Sequence, residues 1–200
     1  MEIKDEYLTL AKVSEETLFK EKGSKFFGYA FPVNSEEEVK EILVNIKKRH
    51  HSARHWCYAY KLGVEKVQFR VNDDGEPSNS AGQPIYGQIL SFDITNVLVV
   101  VVRYFGGVKL GVGGLVKAYK TSAQITLEAS EIVKKTIEEK IELIFDYPHM
   151  NKIMRVVKQL NLTIQDQKMT LNCVMILSVK KSDVERIKEV FQKMHFLKLK

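Results

Sequence analysis

The run Arg103-Tyr104-Phe105-Gly106-Gly107-Val108-Lys109-Leu110-Gly111-Val112-Gly113-Gly114 concentrates the residue types that hold an anion. An apolar stretch, Val97 to Val102, leads into the arginine; five glycines then fall within nine residues, and an amphipathic segment follows. A strand that apolar is buried on both faces. Glycines so dense provide bare backbone where side chains would obstruct, or φ values that other residues resist. A helix beginning after them aims its unpaired N–H groups and positive dipole end at the loop. Arg103, Lys109 and Lys117 would add charge there, and Gly106, Gly107, Gly111, Gly113 and Gly114 would add N–H groups. The same glycines also suit tight strand-to-helix packing with no ligand, and spacing leaves both readings open. Two nucleotide motifs are excluded. A P-loop needs Lys and Ser or Thr after its last glycine, but Val112 and Gly113 follow Gly111, and a dinucleotide fingerprint would need a glycine where Val116 stands.

A second group of polar residues lies upstream. His55, Asp73, Asp74 and Glu76 have the chemistry for a carboxylate–imidazole site, and the three acids could hold a hard cation through oxygen. The spacing is not that of an EF-hand, whose twelfth position counted from Asp73 is Pro84. The alternative is a turn around Gly75 in which aspartates cap backbone N–H groups. Ser78 and Ser80, with His55, raise nucleophilic catalysis, yet no Gly-x-Ser-x-Gly elbow frames either serine. Cys57 shares a strand face with His55 but suits a small core residue. His149 and His195 have no partner at metal-ligand spacing, and no metal or cofactor is expected.

These residues sit in a chain of 200 residues that is 44% hydrophobic, enough to bury one core or two. The longest apolar run stops at Arg103, well short of the ~20 residues of a membrane span. Met1 to Leu10 carries three acids and one lysine and does not read as a signal peptide. Cys57 and Cys173 are expected to be free thiols of a reducing, cytoplasmic compartment. Net charge is +6: residues 1–135 hold 19 Lys/Arg and 17 Asp/Glu, and residues 136–200 hold 12 and 8. That excess permits contact with RNA without requiring it. The densest basic run, Lys47-Lys48-Arg49-His50-His51, falls where a helix ends and complements its dipole.

The periodicity predicts strands at 7–10, 16–19 and 26–33, the last two joined at Gly23. Ser35 and Glu38 form a capping box for a helix over 36–49. Paired strands follow at 56–62 and 66–71, then a long loop to Pro84, a short helix to Ser91, a buried strand at 95–105 and a helix to about Lys134. The tail reads as strand 141–145, a helix opened by Pro148, a strand beginning at Leu162, a strand over 169–179, a helix behind a capping box at Ser182 and a strand at 196–199. That βαββαβ order is the split βαβ, ferredoxin-like unit. Two domains are expected, 1–135 and 136–200, with residues 134–140 as linker.

Three segments together carry a family resemblance: Arg54-His55 with Cys57; Asn72 to Pro77 with Ala81-Gly82 and Pro84; and Val101 to Gly107 with Leu110-Gly111 and Gly113 to Tyr119. They resemble the IMPACT family, bacterial YigZ type, and Lys22-Gly23-Ser24-Lys25-Phe26 fits the family's opening turn. The resemblance implies an α+β protein: an N-terminal left-handed βαβ domain like domain IV of elongation factor G, and a C-terminal ferredoxin-like domain like its domain V. The resemblance also implies eukaryotic relatives that modulate translation initiation with an extra N-terminal domain; no such domain is expected here, so their partner is not carried over. In place of the family's usual Gly-Thr the chain has Asn79-Ser80. Asn tolerates positive φ, so the loop geometry is expected to survive. The implied partners are RNA, the ribosome or a translation factor, with Arg54, Arg103, Lys109 and Lys117 on phosphate and Tyr104 stacked on a base. A metal- or phosphate-dependent enzyme using His55, Asp73, Asp74 or Glu76 is the alternative, and a protein-interaction module a third.

Overall fold

The structure is a computed structural model, and it describes residues 5–199. The chain is an α+β protein whose contacts divide it into two compact units, Tyr7–Lys135, and residues 5–6 together with 136–199.

The larger unit is built on a five-stranded sheet in the order β2-β3-β6-β4-β5. Its strands are β2 (Thr17–Glu21), β3 (Ser24–Pro32), β4 (His55–Leu62), β5 (Gln68–Asn72) and β6 (Val97–Tyr104). β6 is antiparallel to both β3 and β4. Those two therefore run parallel, with β6 between them and α1 (Glu36–Arg49) as the crossover. Val97, Val99 and Val101 pack with α2 (Gly82–Ser91) and α3 (Gly111–Glu128) on one face. Leu98, Val100 and Val102 pack with α1 on the other. This two-sided burial is why the strand reads as an unbroken apolar run. The Ser35 hydroxyl caps α1 by accepting from Glu38 N at 3.3 Å, while the Glu38 carboxylate reaches back to Asn34 N rather than Ser35 N.

Three local expectations need correction. The helix after the glycine loop stops at Glu128 instead of Lys134, and β7 (Ile132–Thr136) pairs with β1 (Glu6–Leu10). Ser130 ends the helical pattern, and the β-branched pair Ile132-Val133 suits a strand better than a seventh helical turn. Residues 134–136 and 138–140 accordingly lie in strands rather than in a linker, with Ile137 alone between β7 and β8 (Glu138–Asp146). Ser182 does not cap a helix. Its N–H donates to Asp5 Oδ1 at 2.8 Å inside a 3₁₀ turn at Lys181–Asp183, ahead of α5 (Val184–Gln192).

The smaller unit adds α4 (Met150–Gln159), β9 (Thr163–Lys168), β10 (Asn172–Lys180) and β11 (Leu197–Leu199). Its order is βαββαβ, with strands arranged β11-β8-β10-β9 and each neighbouring pair antiparallel. Ile141, Leu143 and Phe145 alternate inward against Ile153, Val157, Ile187 and Phe191 from its two helices.

On the α1 face, the His50 ring is held between two phenols. Tyr29 donates its hydroxyl proton to Glu16, so His50 Nε2–H donates to Tyr29 Oη at 2.5 Å. Nδ1 then accepts from Tyr104 Oη at 3.0 Å, and the neutral ring is fully satisfied. Burial lowers the His50 pKa, against an opposing pull from the Glu16 carboxylate. The unfolded chain thus binds the proton more readily, and stability falls as pH drops below the unfolded value of about 6.5. His50→Gln should flatten denaturation midpoints between about pH 5 and 7 relative to wild type. An unchanged slope would remove His50 from the pH dependence.

Candidate anion-binding cleft

Strand register assembles the site. Arg103, one residue before the end of β6, lies directly between Phe26 of β3 and His55 of β4, all three on the face covered by α2 and α3. Its guanidinium lies 5.6 Å from the Phe26 ring centroid and 5.7 Å from that of Phe105, so two aromatic faces fix its plane. Arg103 Nη1 donates to Glu76 Oε1 at 2.6 Å, with the two side chains 6% and 4% exposed. Arg103 Nη2 donates to Ser24 Oγ at 3.4 Å, and the same hydroxyl accepts from Gly106 N at 3.2 Å. A further donor, Nε–H, is buried and has no partner among the described residues.

Glu76 also accepts from Tyr119 Oη at 2.8 Å. Burial drives the Tyr119 hydroxyl far above its ordinary pKa, so it stays protonated and serves as that donor. Burial likewise raises the Cys57 thiol, which donates to Asp73 O at 3.0 Å and is no nucleophile. His55 Nδ1 lies 2.8 Å from Asp74 O. A carbonyl only accepts, so Nδ1 carries the hydrogen, and Nε2, 3.9 Å from Glu76 Oε1, is an acceptor in the neutral ring.

The aspartates do structural work. Asp73 Oδ1 accepts from Ala81 N and Gly82 N, at 3.0 and 2.8 Å, and Oδ2 accepts from Asn79 N at 2.8 Å. Asp74 Oδ2 accepts from Trp56 N at 2.8 Å, with Lys47 Nζ 3.6 Å from Oδ1. The loop thus takes the capped-turn form, and Asn79 occupies it at φ +62°. Among the described residues no group of three His, Cys, Asp or Glu is placed to hold a metal ion.

Arg54, His55, Glu76, Arg103, Lys109 and Gly111 line one cleft of about 470 Å³, walled by Pro77, Phe105, Leu110, Val112 and Leu115. α3, 18 residues long, starts at this cleft with Leu110 at its N-cap and no side-chain cap. Other residues singled out from the sequence lie elsewhere. Tyr104 points to the opposite face, where it meets Phe27 and His50. Lys117 is exposed on α3 outside the cleft lining, and Ser78 is exposed in the loop. Ser80 donates its hydroxyl to Pro77 O at 2.6 Å. Gly106 is pressed against Gly23: a Cβ there would lie 1.9 Å from Gly23 C. An added Cβ at Gly107, Gly111 or Gly113 would meet nothing within 4 Å, and at Gly114 only Leu110 Cβ, at 3.1 Å. Packing therefore accounts for Gly106, while open space surrounds the other three.

Sequence reasoning missed Ser24, Phe26 and Tyr119 as parts of this site. The turn at Gly23-Ser24 was the available signal for Ser24, since a hydroxyl beside a turn glycine readily caps a passing backbone N–H.

Comparison with known proteins locates the chain. Residues 22–127 match the Impact N-terminal domain. IMPACT family member YvyE of Bacillus subtilis (strain 168) is 35% identical over 153 residues, 76% of this chain and 70% of the relative. An IMPACT family member of Haemophilus influenzae is 32% identical over 166 residues, 82% and 81% of the two chains. A crystal structure described as that of a hypothetical protein superposes with a TM-score of 0.75 at 25% identity, covering 98% of this chain and 97% of the other. The motifs built around Arg103, Glu76 and the glycine loop fall inside the matched region, and on this similarity the chain belongs to the IMPACT family.

Proposed function

We propose that this protein binds RNA or the ribosome in the regulation of translation, using the cleft at the start of α3. The observation that carries the reading is the charge arrangement. Arg54 and Lys109 line the cleft with no ion pair among the described residues, beside the uncapped end of α3. Helix N-termini and unpaired cations together favour phosphate. Arg103 has a different role from the one its sequence position suggests: its charge is already met by Glu76, so it shapes the cleft while Arg54 and Lys109 face the ligand. The enzyme alternative is weaker, because Asp73 spends its carboxylate on three backbone N–H groups and Cys57 is held as a neutral thiol. No helix among the described residues is long and apolar enough to cross a membrane.

The test is binding of purified full-length protein to RNA and to ribosomes across a salt series. Affinity should fall linearly on a log–log plot, and Lys109→Ala and Arg54→Ala should each reduce the slope by about one. Binding that ignores salt, or slopes that both variants leave unchanged, would remove the cleft from the interaction.

A further inference from the structure

Beyond a general affinity for phosphate, we infer that the cleft is built for a phosphomonoester: the terminal phosphate of a nucleic acid end, or that of a free nucleotide. This rests on the reading of the cleft as an anion site. Four observations narrow the ligand class. First, Arg103 at the cleft wall is 5% exposed and spends its charge on Glu76, so a ligand takes its charge contacts from other residues. Second, the cations facing the cleft beyond the Arg103–Glu76 pair are Arg54 and Lys109. Two positive charges match a dianion better than the single charge of a phosphodiester.

Third, in the neutral His55 ring Nε2 is the acceptor, beside the Glu76 carboxylate, because Nδ1–H donates to Asp74 O. An acceptor there repels an anion unless a proton lies between them. A terminal phosphate has its second ionisation near pH 6, so it can supply such a proton near neutral pH. A phosphodiester has no such ionisation. Fourth, the cleft's size of about 470 Å³ is that of a small-molecule site, and half-exposed Phe105 and exposed Val112 provide an apolar wall for a base or sugar. Bare backbone at Gly113, with nothing within 4 Å of an added Cβ, leaves the helix end open to close approach.

The experiment compares one short single-stranded RNA carrying a 5′-phosphate, a 3′-phosphate or hydroxyls at both ends, with a nucleoside monophosphate and inorganic phosphate as further probes. Either phosphorylated RNA should bind about tenfold or more tightly than the hydroxyl form, the worth of one charge-assisted hydrogen bond. If the mononucleotide binds and no RNA does, the monoester assignment holds with a small molecule as source and the RNA reading fails; binding of inorganic phosphate alone overturns both. Equal binding of all three RNAs overturns the monoester assignment and leaves the RNA reading standing. Binding of none of the probes overturns both. Two variants place the site. Val112→Glu puts a carboxylate into the cleft while complementing the α3 dipole, so stability should hold and the end preference should vanish. His55→Asn keeps a donor for Asp74 O but deletes Nε2, and should bind phosphorylated and hydroxyl RNA alike. End preference that persists in both variants would overturn the assignment to this cleft.

Discussion

Arg103→Ala should destabilise the Tyr7–Lys135 unit by about 3–5 kcal/mol, the cost of stranding one partner of a buried ion pair. Glu76 would keep the Tyr119 hydroxyl at 2.8 Å, but its charge would face only His55 Nε2 at 3.9 Å. The origin of the loss can be separated from simple cavity formation. Arg103→Met fills most of the volume and should still cost nearly as much. Adding Glu76→Gln to that background should recover a large part, since the amide still accepts from Tyr119 and carries no charge. Trp56, the single tryptophan of the sequence, reports on this unit alone, so its fluorescence during guanidinium unfolding measures the effect. A loss under 1 kcal/mol, or a double variant worse than the single, would mean that solvent reaches the pair.

The second large effect belongs to Gly106. A methyl group there would sit 1.9 Å from Gly23 C and 2.2 Å from both Gly23 O and Ser24 N, all backbone atoms that cannot rotate aside. The glycine loop and the β2–β3 turn must therefore separate. That breaks the Gly106 N–Ser24 Oγ bond and with it the support that Ser24 gives Arg103. Gly106→Ala should cost about 3 kcal/mol, at the upper end for overpacking because the displaced atoms are main chain. Gly113→Ala provides the control: its Cβ meets nothing, and replacing a helical glycine should leave stability equal or about 0.5–1 kcal/mol higher. Similar losses at the two positions would contradict the packing described for Gly106.

Much of this architecture was legible because hydrophobic period and burial coincide. Val97 to Val102 could be nothing but a strand covered on both sides, and Ser35 announced α1 through its cap. The failures have local causes. The β-branched Ile132-Val133 disfavours a further helical turn only weakly and Lys134-Lys135 suits either state, so pairing with β1 decides β7. Ser182 matched a capping pattern, but its N–H is drawn to Asp5, more than 170 residues away in sequence. At the cleft, Arg103 and Glu76 were each legible as polar residues with chemistry to offer. That they satisfy one another depends on β6 and the loop after β5 meeting in space, 27 residues apart. Tyr104 was assigned beside its neighbour Arg103, whereas strand alternation sends the two to opposite faces.

The placement of β6 between β3 and β4 has a consequence for synthesis. A ribosome delivers β3, α1, β4 and β5 before it delivers the strand that joins them. From Leu62 to Tyr104 at 5–20 residues per second, that interval is roughly 2–8 s. Throughout it, the inner edges of β3 and β4 present unpaired N–H and C=O groups, and their apolar faces have no centre to close on. The nascent chain therefore carries two open strand edges for seconds, and a slow codon run before Val97 would lengthen its exposure to chaperones and to aggregation.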